Sequence, residues 1–349
     1  MSTSPVVRFL FGAACFVIVV AGMRTAETLL VPFLLSLFIS VLCSPPLVWL
    51  KERGVPNGLA IFIIIGAVVI ISLLIGTIVG SAIGNFRHDL PVYQARLSEL
   101  TVGLFTKLQT LGIDIEVNQL KESFNPAAIL GFAGSALANL GNMMTNAFLI
   151  LLTVVFILAE EVGFSDKVKL ASPKYQKTLD ALNRFTNVVN RYMAIKSALS
   201  LATGVLILFW LWFIGVDYFV LWGVLAFLLN FIPTLGSILA AVPAVLLALV
   251  QLGVGDAVLT AAGFVFVNVL IGNVLEPRIM GKGLDLSALV VFLSLVFWGW
   301  VLGSVGMLLS IPLTMTVKIA LESFDETRWV GIMLGSGTVA AKTIRSKFA

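Results

Sequence analysis

Residues 59–85, LAIFIIIGAVVIISLLIGTIVGSAIGN, decide the fold class because they contain no charged side chain. A helix needs about 20 apolar residues to cross the roughly 30 Å hydrocarbon layer of a bilayer, and this stretch is long enough to cross with some tilt. Continuous apolar residues, rather than alternating ones, indicate a helix and not a strand of a membrane β-barrel. Further apolar runs lie on both sides of it, at about residues 9–23, 28–50, 133–159, 198–216, 218–250, 257–275 and 288–321.

The composition points to the same class of protein. Hydrophobic residues make up 59% of the chain and charged residues 11%, whereas soluble domains average about 45–50% and about 25%. A soluble protein cannot bury such an excess and still keep a polar surface. We therefore predict an all-α integral membrane protein. Its helical bundle should have about 7–8 transmembrane segments, with broken or re-entrant helices in the C-terminal half and amphipathic connecting helices.

The charged residues divide the chain into segments. We predict N-terminal transmembrane helices at 1–85, an amphipathic extramembrane segment at 86–132, a transmembrane helix at 133–160, a basic amphipathic segment at 161–196, a C-terminal membrane region at 197–322 and a tail at 323–349. Apolar stripes at helical spacing along Leu97–Leu111 and Tyr175–Tyr192 indicate amphipathic helices that pack against a neighbour or lie on the membrane surface.

The distribution of lysine and arginine predicts the orientation. Cytoplasmic loops are enriched in these residues, and 161–196 is the most basic segment. We therefore place that segment and the tail in the cytoplasm, and 86–132 outside. A chain that turns back at Pro233 would invert the segments that follow it.

A first polar cluster interrupts the apolar run 218–250. Proline removes a backbone donor and frees a carbonyl group, and broken helices at bilayer depth are tolerated where they line a cavity or are buried in protein. A proline kink satisfied by its neighbours would have the same sequence. Gly236-Ser237 with Pro243 is echoed by Gly303-Ser304 with Pro312, a pattern typical of repeat-related half-helices. The residues that could line a solute pathway here are Asn230, Pro233, Thr234, Gly236 and Ser237.

A second polar cluster ends the run 257–275. Because a residue before proline is disfavoured in helical geometry, we predict that Pro277 forces Glu276 out of the helix at its end. Ionisable groups at membrane depth are usually paired or functional, so Glu276 either pairs with Arg278 near the headgroups or takes part in gating. The pathway candidates in this cluster are Asn268 and Asn273, and the gating or coupling candidates are Glu276, Pro277, Arg278 and Lys282.

Several other classes of protein are excluded by missing motifs. No phosphate-binding loop supports ATP-driven transport, and no arginine-rich span indicates a voltage sensor. With His88 as the single histidine, in a polar loop, and two cysteines in apolar runs, the chain offers no catalytic pair and no zinc site. The basic residues lack the groove and aromatic platform of a nucleic-acid binder. A carrier with no metal, no cofactor and no enzymatic activity is what the sequence predicts.

Three motifs carry a resemblance to a known family. They are NVLEPRIMGKGLDLS at 273–287 with VVFLSLVFWGW at 290–300, GMLLSIPL at 306–313, and WGVLAF at 222–227 with NFIPTLGS at 230–237. The chain resembles the autoinducer-2 exporter family of permeases over nearly its whole length. The resemblance implies export of autoinducer-2, a small polyol, across the bacterial inner membrane. It also implies a homo-oligomer, specifically a pentamer. Other members resemble sodium(lithium)/proton antiporters.

Three functions remain open at this point. The first is a secondary transporter that exports autoinducer-2 by alternating access, with small molecule and membrane lipid as its partners and no nucleic acid. The second is a cation/proton antiporter that uses Glu276. The third is a non-transporting membrane scaffold that assembles through its amphipathic helices.

Overall fold

The computed structural model describes residues 5–110, 147–171, 175–233, 235–280, 286–324 and 326–335. In these ranges the chain consists of helices joined by turns, without a strand, which confirms the all-α class. Helices long and apolar enough to cross a membrane are Glu27–Glu52, Asn57–Phe86, Thr186–Ile214, Val254–Met280 and Ala288–Leu308. Shorter apolar helices are Leu10–Thr25, Ala147–Glu160, Phe219–Leu229 and Leu235–Gln251.

The described helices follow one another along the chain. In chain order they are α1 Pro5–Thr25, α2 Glu27–Glu52, α3 Asn57–Thr110, α4 Ala147–Ala171, α5 Tyr175–Ile214, α6 Phe219–Leu229, α7 Leu235–Gln251, α8 Val254–Asn268, a π-helical segment Val269–Leu275, α9 Glu276–Met280, α10 Ala288–Leu308, α11 Ser310–Glu322 and α12 Arg328–Met333. No break separates residues 85 and 86 in α3 or residues 196 and 197 in α5, so neighbouring predicted segments share one helix. The side chains of the predicted stripe Leu97–Leu111, and most of those of the stripe Tyr175–Tyr192, lie outside the described residues.

The chain forms two compact units. The first contains Met1–Gly66, Phe148–Ile195 and Met280–Ala349, and the second contains Ala67–Ala147 and Lys196–Ile279. In the first unit α1, α2 and α10 pack together, and the Ser36 hydroxyl of α2 donates to the Ile150 carbonyl of α4 at 3.1 Å. A serine that reaches a neighbouring backbone in this way is a typical polar contact between membrane helices.

A helical hairpin formed by α10 and α11, named α10–α11, dominates the C-terminal part of the first unit. Its turn lies inside α10, where the helix is broken at Leu302 and Gly303. Gly303 has a φ of 62° that only glycine adopts readily. A Cβ atom added at Gly306 would collide with the carbonyl oxygen of Trp298, so the chain doubles back tightly. The indole Nε1 of Trp298 donates to the Thr314 hydroxyl at 3.0 Å, which ties the two arms together.

A second hairpin, α6–α7, lies in the second unit. Helix α6 ends at Leu229 and α7 begins at Leu235, so the apolar run 218–250 is broken next to Pro233. A Cβ atom added at Gly236 would collide with the Leu229 carbonyl oxygen. The backbones of the two arms therefore approach closely at this glycine. With 11 and 17 residues, each arm is shorter than the roughly 20 residues that a full span needs.

Candidate functional site

A buried ion pair joins α5 to the end of the membrane helix that contains the π-helical segment. The Lys196 ammonium donates to both carboxylate oxygens of Glu276, at 2.8 and 2.9 Å. The side chain of Lys196 is 5% exposed and that of Glu276 is 20% exposed. Both residues belong to the second unit. An ion pair removed from water in this way is retained at a cost in desolvation, and at membrane depth such pairs mark functional positions.

The next turn of α5 makes a second polar contact. Ser200 follows Lys196 by four residues and therefore lies on the same helix face. Its hydroxyl oxygen accepts a hydrogen bond from the Asn230 side-chain amide at 2.9 Å, and both residues are buried. Asn230 comes directly after α6, so this bond anchors the turn of the hairpin α6–α7 to α5.

A third contact brings the two predicted polar clusters together. The Ser237 hydroxyl, at the start of α7, donates to the side-chain oxygen of Asn268 at 2.7 Å. Asn268 is the last residue of α8. Residues that the sequence separates by 31 positions therefore share one polar region within the second unit.

The backbone between Asn268 and Glu276 departs from α-helical geometry. Val269–Leu275 is π-helical, and the Glu276 N–H donates to the carbonyl oxygen of Ile271 five residues earlier. A π turn is wider than an α turn and is often found at functional sites. It also changes which residues share a face, because each turn contains more residues than an α turn.

The prediction that Pro277 forces Glu276 out of helical geometry is wrong. Glu276 has φ −56° and ψ −51°, and the chain continues as α9 to Met280. The clash behind the prediction is between the Pro277 ring and the backbone N–H and Cβ of Glu276. That clash disfavours helical geometry without forbidding it, and Pro277 lies in the first turn of α9, where a missing backbone donor is tolerated.

The remaining predicted residues divide into three groups. Pro233 and Gly236 form the turn and the close contact of the hairpin α6–α7. Asn273, Pro277 and Arg278 are exposed, and Glu276 pairs with Lys196. Thr234 and Lys282 lie outside the described residues.

Sequence reasoning missed Lys196 and Ser200. Lys196 ends the basic segment 161–196, and the sequence did not distinguish it from the other lysines and arginines of that segment. A usable signal was present, because Lys196 is followed at once by an apolar run that places it within the first turns of a span. Its partner, 80 residues away, could not be identified from spacing.

A separate polar cluster connects α3 to the loop before α6. The Tyr93 hydroxyl donates to the Asp217 carboxylate at 2.9 Å, and the Tyr218 hydroxyl donates to the Asp89 carboxylate. Burial, followed by the hydrogen bond to Asp89, raises the pKa of Tyr218 to about 12. Burial and the bond to Asp217 raise the pKa of Tyr93 as well. Both phenols therefore remain protonated donors at neutral pH.

The donor set of the second unit suits neutral polar solutes more than metals. Among the described residues, no group of three or more His, Cys, Asp or Glu side chains could hold a metal ion. Asn230, Ser200, Ser237 and Asn268 instead offer hydroxyl and amide groups that both donate and accept hydrogen bonds.

Comparison with known proteins defines the class. Residues 13–326 match the AI-2E family transporter description. The AI-2 transport protein TqsA of Escherichia coli (strain K12) is 40% identical over 318 residues, which cover 91% of this chain and 92% of that protein. A Haemophilus influenzae relative is 39% identical over 334 residues, covering 94% and 96%. YhhT of Escherichia coli (strain K12) is 34% identical over 330 residues, covering 95% of each chain.

The helices and these matches define a membrane transport protein, not an enzyme. The chain belongs to the AI-2E transporter family. With its several apolar spans, it is a multi-pass protein of the bacterial inner membrane.

Proposed function

We propose that this protein is a secondary transporter that exports autoinducer-2 from the bacterial cytoplasm by alternating access. The observation that carries the proposal is the contact between Ser237 and Asn268, because it joins the two polar clusters into one polar region. The name of the Escherichia coli relative TqsA, an AI-2 transport protein, supports the substrate. A small polyol needs paired donors and acceptors, which serine and asparagine side chains supply.

The polar contacts suggest how a solute could pass. Asn230 and Ser200 form a hydrogen bond with each other, as do Ser237 and Asn268. A polyol hydroxyl can replace either partner without leaving a buried polar group unpaired, which would cost about 1–3 kcal/mol. In this proposal Asn230, Ser237 and Asn268 line the pathway together with Thr234 and Asn273. Pro233 and Gly236 shape the turn that carries them.

The ion pair Lys196–Glu276 serves as the gate or coupling element in this proposal. Protonation of Glu276 would remove the attraction that holds Lys196, and the helices that carry the two residues could then separate. Pro277, Arg278 and Lys282 continue the chain beyond Glu276 and would transmit that change.

Transport is tested with radiolabelled autoinducer-2 and inverted membrane vesicles. Vesicles that contain the protein should accumulate the label, and Ser237→Ala should lower the initial rate about fivefold, as expected for one lost hydrogen bond. Ser81→Ala is the matched control, because Ser81 is exposed and donates to Ile78 of its own helix at 3.0 Å. Uptake equal to that of empty vesicles would remove the proposal.

Sodium(lithium)/proton antiport is the second candidate. It is favoured by the position of Glu276, a carboxylate at the end of a membrane span with a buried ammonium partner. Antiport predicts that sodium or lithium added to acid-loaded vesicles releases protons, and that Glu276→Gln abolishes the release. An exporter of autoinducer-2 without this activity would show no proton flux on cation addition.

A homo-oligomer, specifically a pentamer, and the orientation with 161–196 and 323–349 in the cytoplasm complete the proposal. Native mass spectrometry from nanodiscs measures the number of copies, and labelling of single cysteines from either face measures the orientation. The scaffold hypothesis makes the opposite prediction for the site. If it holds, alanine at Asn230, Asn273 or Glu276 leaves all transport phenotypes unchanged.

A further inference from the structure

A cavity of about 190 Å³ lies within the first unit. Its walls come from the start of the apolar part of α5, the end of α9 and the middle of α11. The lining residues are Asn187, Val188, Arg191, Tyr192, Ile195, Met280 and Met315.

The lining has a polar end and an apolar end. Asn187 and Arg191 are four residues apart, on one face of α5, and both are exposed. Met280 and Met315 are buried, at 6% and 3% exposed. Guanidinium is the side-chain group best matched to a phosphate, because its fork donates two parallel hydrogen bonds. Methionine adapts its shape to flexible apolar ligands.

The cavity also lies where the polar and apolar parts of the helices meet. Asn187–Ile195 are the first turns of the span Thr186–Ile214, and Met280 is the last residue of the span Val254–Met280. Lipid headgroups meet acyl chains at this depth, and basic pockets between membrane helices bind anionic headgroups. A small polyol fits this lining poorly, because hydroxyl groups against two methionines and an isoleucine would lack partners.

We propose that this cavity binds an anionic phospholipid. Arg191 holds the headgroup phosphate with Asn187 beside it, and the first carbons of an acyl chain lie against Met280 and Met315. This proposal does not rest on the proposed export activity.

The test measures retention of phosphatidylglycerol and phosphatidylcholine by the full-length protein, using native mass spectrometry on delipidated protein titrated with each lipid. Wild-type protein should retain phosphatidylglycerol in preference to phosphatidylcholine. Arg191→Gln should weaken retention of phosphatidylglycerol about tenfold, as expected for a lost charge-assisted hydrogen bond. The matched control is Arg53→Gln, because Arg53 is an exposed arginine stacked on Trp49 at 3.8 Å and should leave the preference intact.

Three outcomes overturn the proposal. If Arg191→Gln and Arg53→Gln lose phosphatidylglycerol equally, the lipid is attracted to the positive charge of the protein in general and not to this cavity. Displacement of phosphatidylglycerol by an equal concentration of glycerol phosphate would mean a site for soluble phosphates. Arg191→Lys, which keeps the charge and loses the fork, should fall between wild type and Arg191→Gln. If Arg191→Gln does not fold, Arg191→Lys and Asn187→Leu test the proposal instead. Retention of phosphatidylglycerol at the wild-type level in both variants would refute the assignment.

Discussion

The hairpins α6–α7 and α10–α11 are built alike and are tied down differently. In each, an apolar run doubles back where a glycine lets a backbone carbonyl approach closely, at Gly236 in the first and Gly306 in the second. The polar groups of α6–α7 bond outward, from Asn230 to α5 and from Ser237 to α8. The Trp298–Thr314 bond of α10–α11 stays inside the hairpin.

The polar bonds of the first hairpin reach neighbouring helices, whereas the Trp298–Thr314 bond of the second is internal, although α10 also packs against α1 and α2. Any movement of α6–α7 must break and remake bonds to α5 and α8, so the state of the hairpin is linked to the polar region. The internal bond of α10–α11 stabilises the hairpin without requiring a neighbouring helix to respond. We therefore expect substitutions in the first hairpin to affect transport and stability, and those in the second to affect stability.

The ion pairs beside the two hairpins allow the strongest test. Lys196→Met leaves the Glu276 carboxylate without its partner and should lower the free energy of unfolding by about 3–5 kcal/mol. The double variant Lys196→Met/Glu276→Leu should recover most of that stability, because apolar replacement of a buried pair is often neutral, yet it should not transport. Thermal unfolding in detergent and vesicle uptake measure the two effects.

Lys318–Glu322 in α11 supplies the matched control. This pair is spaced i,i+4 within one helix, with Nζ and Oε1 3.6 Å apart. The Lys318 side chain is 6% exposed and that of Glu322 is 23% exposed, so Glu322→Gln should also lower the free energy of unfolding, but it should leave transport unchanged. Normal transport by the double variant at Lys196 and Glu276 would show that their pair is purely structural.

The glycine contacts should have effects of intermediate size in both hairpins. Gly236→Ala and Gly306→Ala each place a methyl group against a backbone carbonyl, and the arms must separate at a cost of about 1–3 kcal/mol. Gly84→Ala in α3 is the control, because nothing lies within 4 Å of the added atom. An unchanged melting temperature for Gly236→Ala or Gly306→Ala would contradict the close packing of that hairpin.

Removing one hydrogen bond from each hairpin and measuring transport compares their functions most directly. Ser200→Ala and Thr314→Val each remove the partner of a buried N–H donor, at a cost of about 1–2 kcal/mol. We expect transport per folded molecule to fall in Ser200→Ala and to stay at the wild-type value in Thr314→Val. Equal transport by the two variants would break the contrast between the hairpins.

Tyr218, at the entry to the first hairpin, should have the smallest effect, and the pH dependence of that effect should appear at alkaline pH. The pKa of Tyr218 is raised from 10 to about 12 in the fold, so its contribution to stability is complete below pH 10. That contribution is lost as pH rises towards 12. Tyr218→Phe should flatten this part of the stability curve. Identical curves for the variant and the wild type between pH 10 and 12 would contradict the contribution of the Tyr218–Asp89 bond.

Several features could be predicted from the sequence because they depend on local chemistry. Apolar runs without charge require lipid and backbone hydrogen bonds within the helix, and proline with glycine interrupts the run 218–250 wherever that run lies. The polar residues Ser237 and Asn268 were likewise recognisable, because polar groups are rare in such surroundings.

Other features could not be predicted because they depend on which face of a helix each side chain occupies. The π-helical segment Val269–Leu275 changes the relation between sequence spacing and helix face, so a count at 3.6 residues per turn gives the wrong faces beyond it. Asn273 is exposed, whereas Glu276 bonds to Lys196.

The sequence alone determined that this is a helical membrane protein with a polar, interrupted C-terminal half, because the hydrophobic effect and backbone hydrogen bonding act on composition and local order. The tertiary structure decided which polar groups meet: Lys196 with Glu276, Ser200 with Asn230, and Ser237 with Asn268. Those pairs depend on helix packing and on one run of π geometry, which bring together residues that are far apart along the chain.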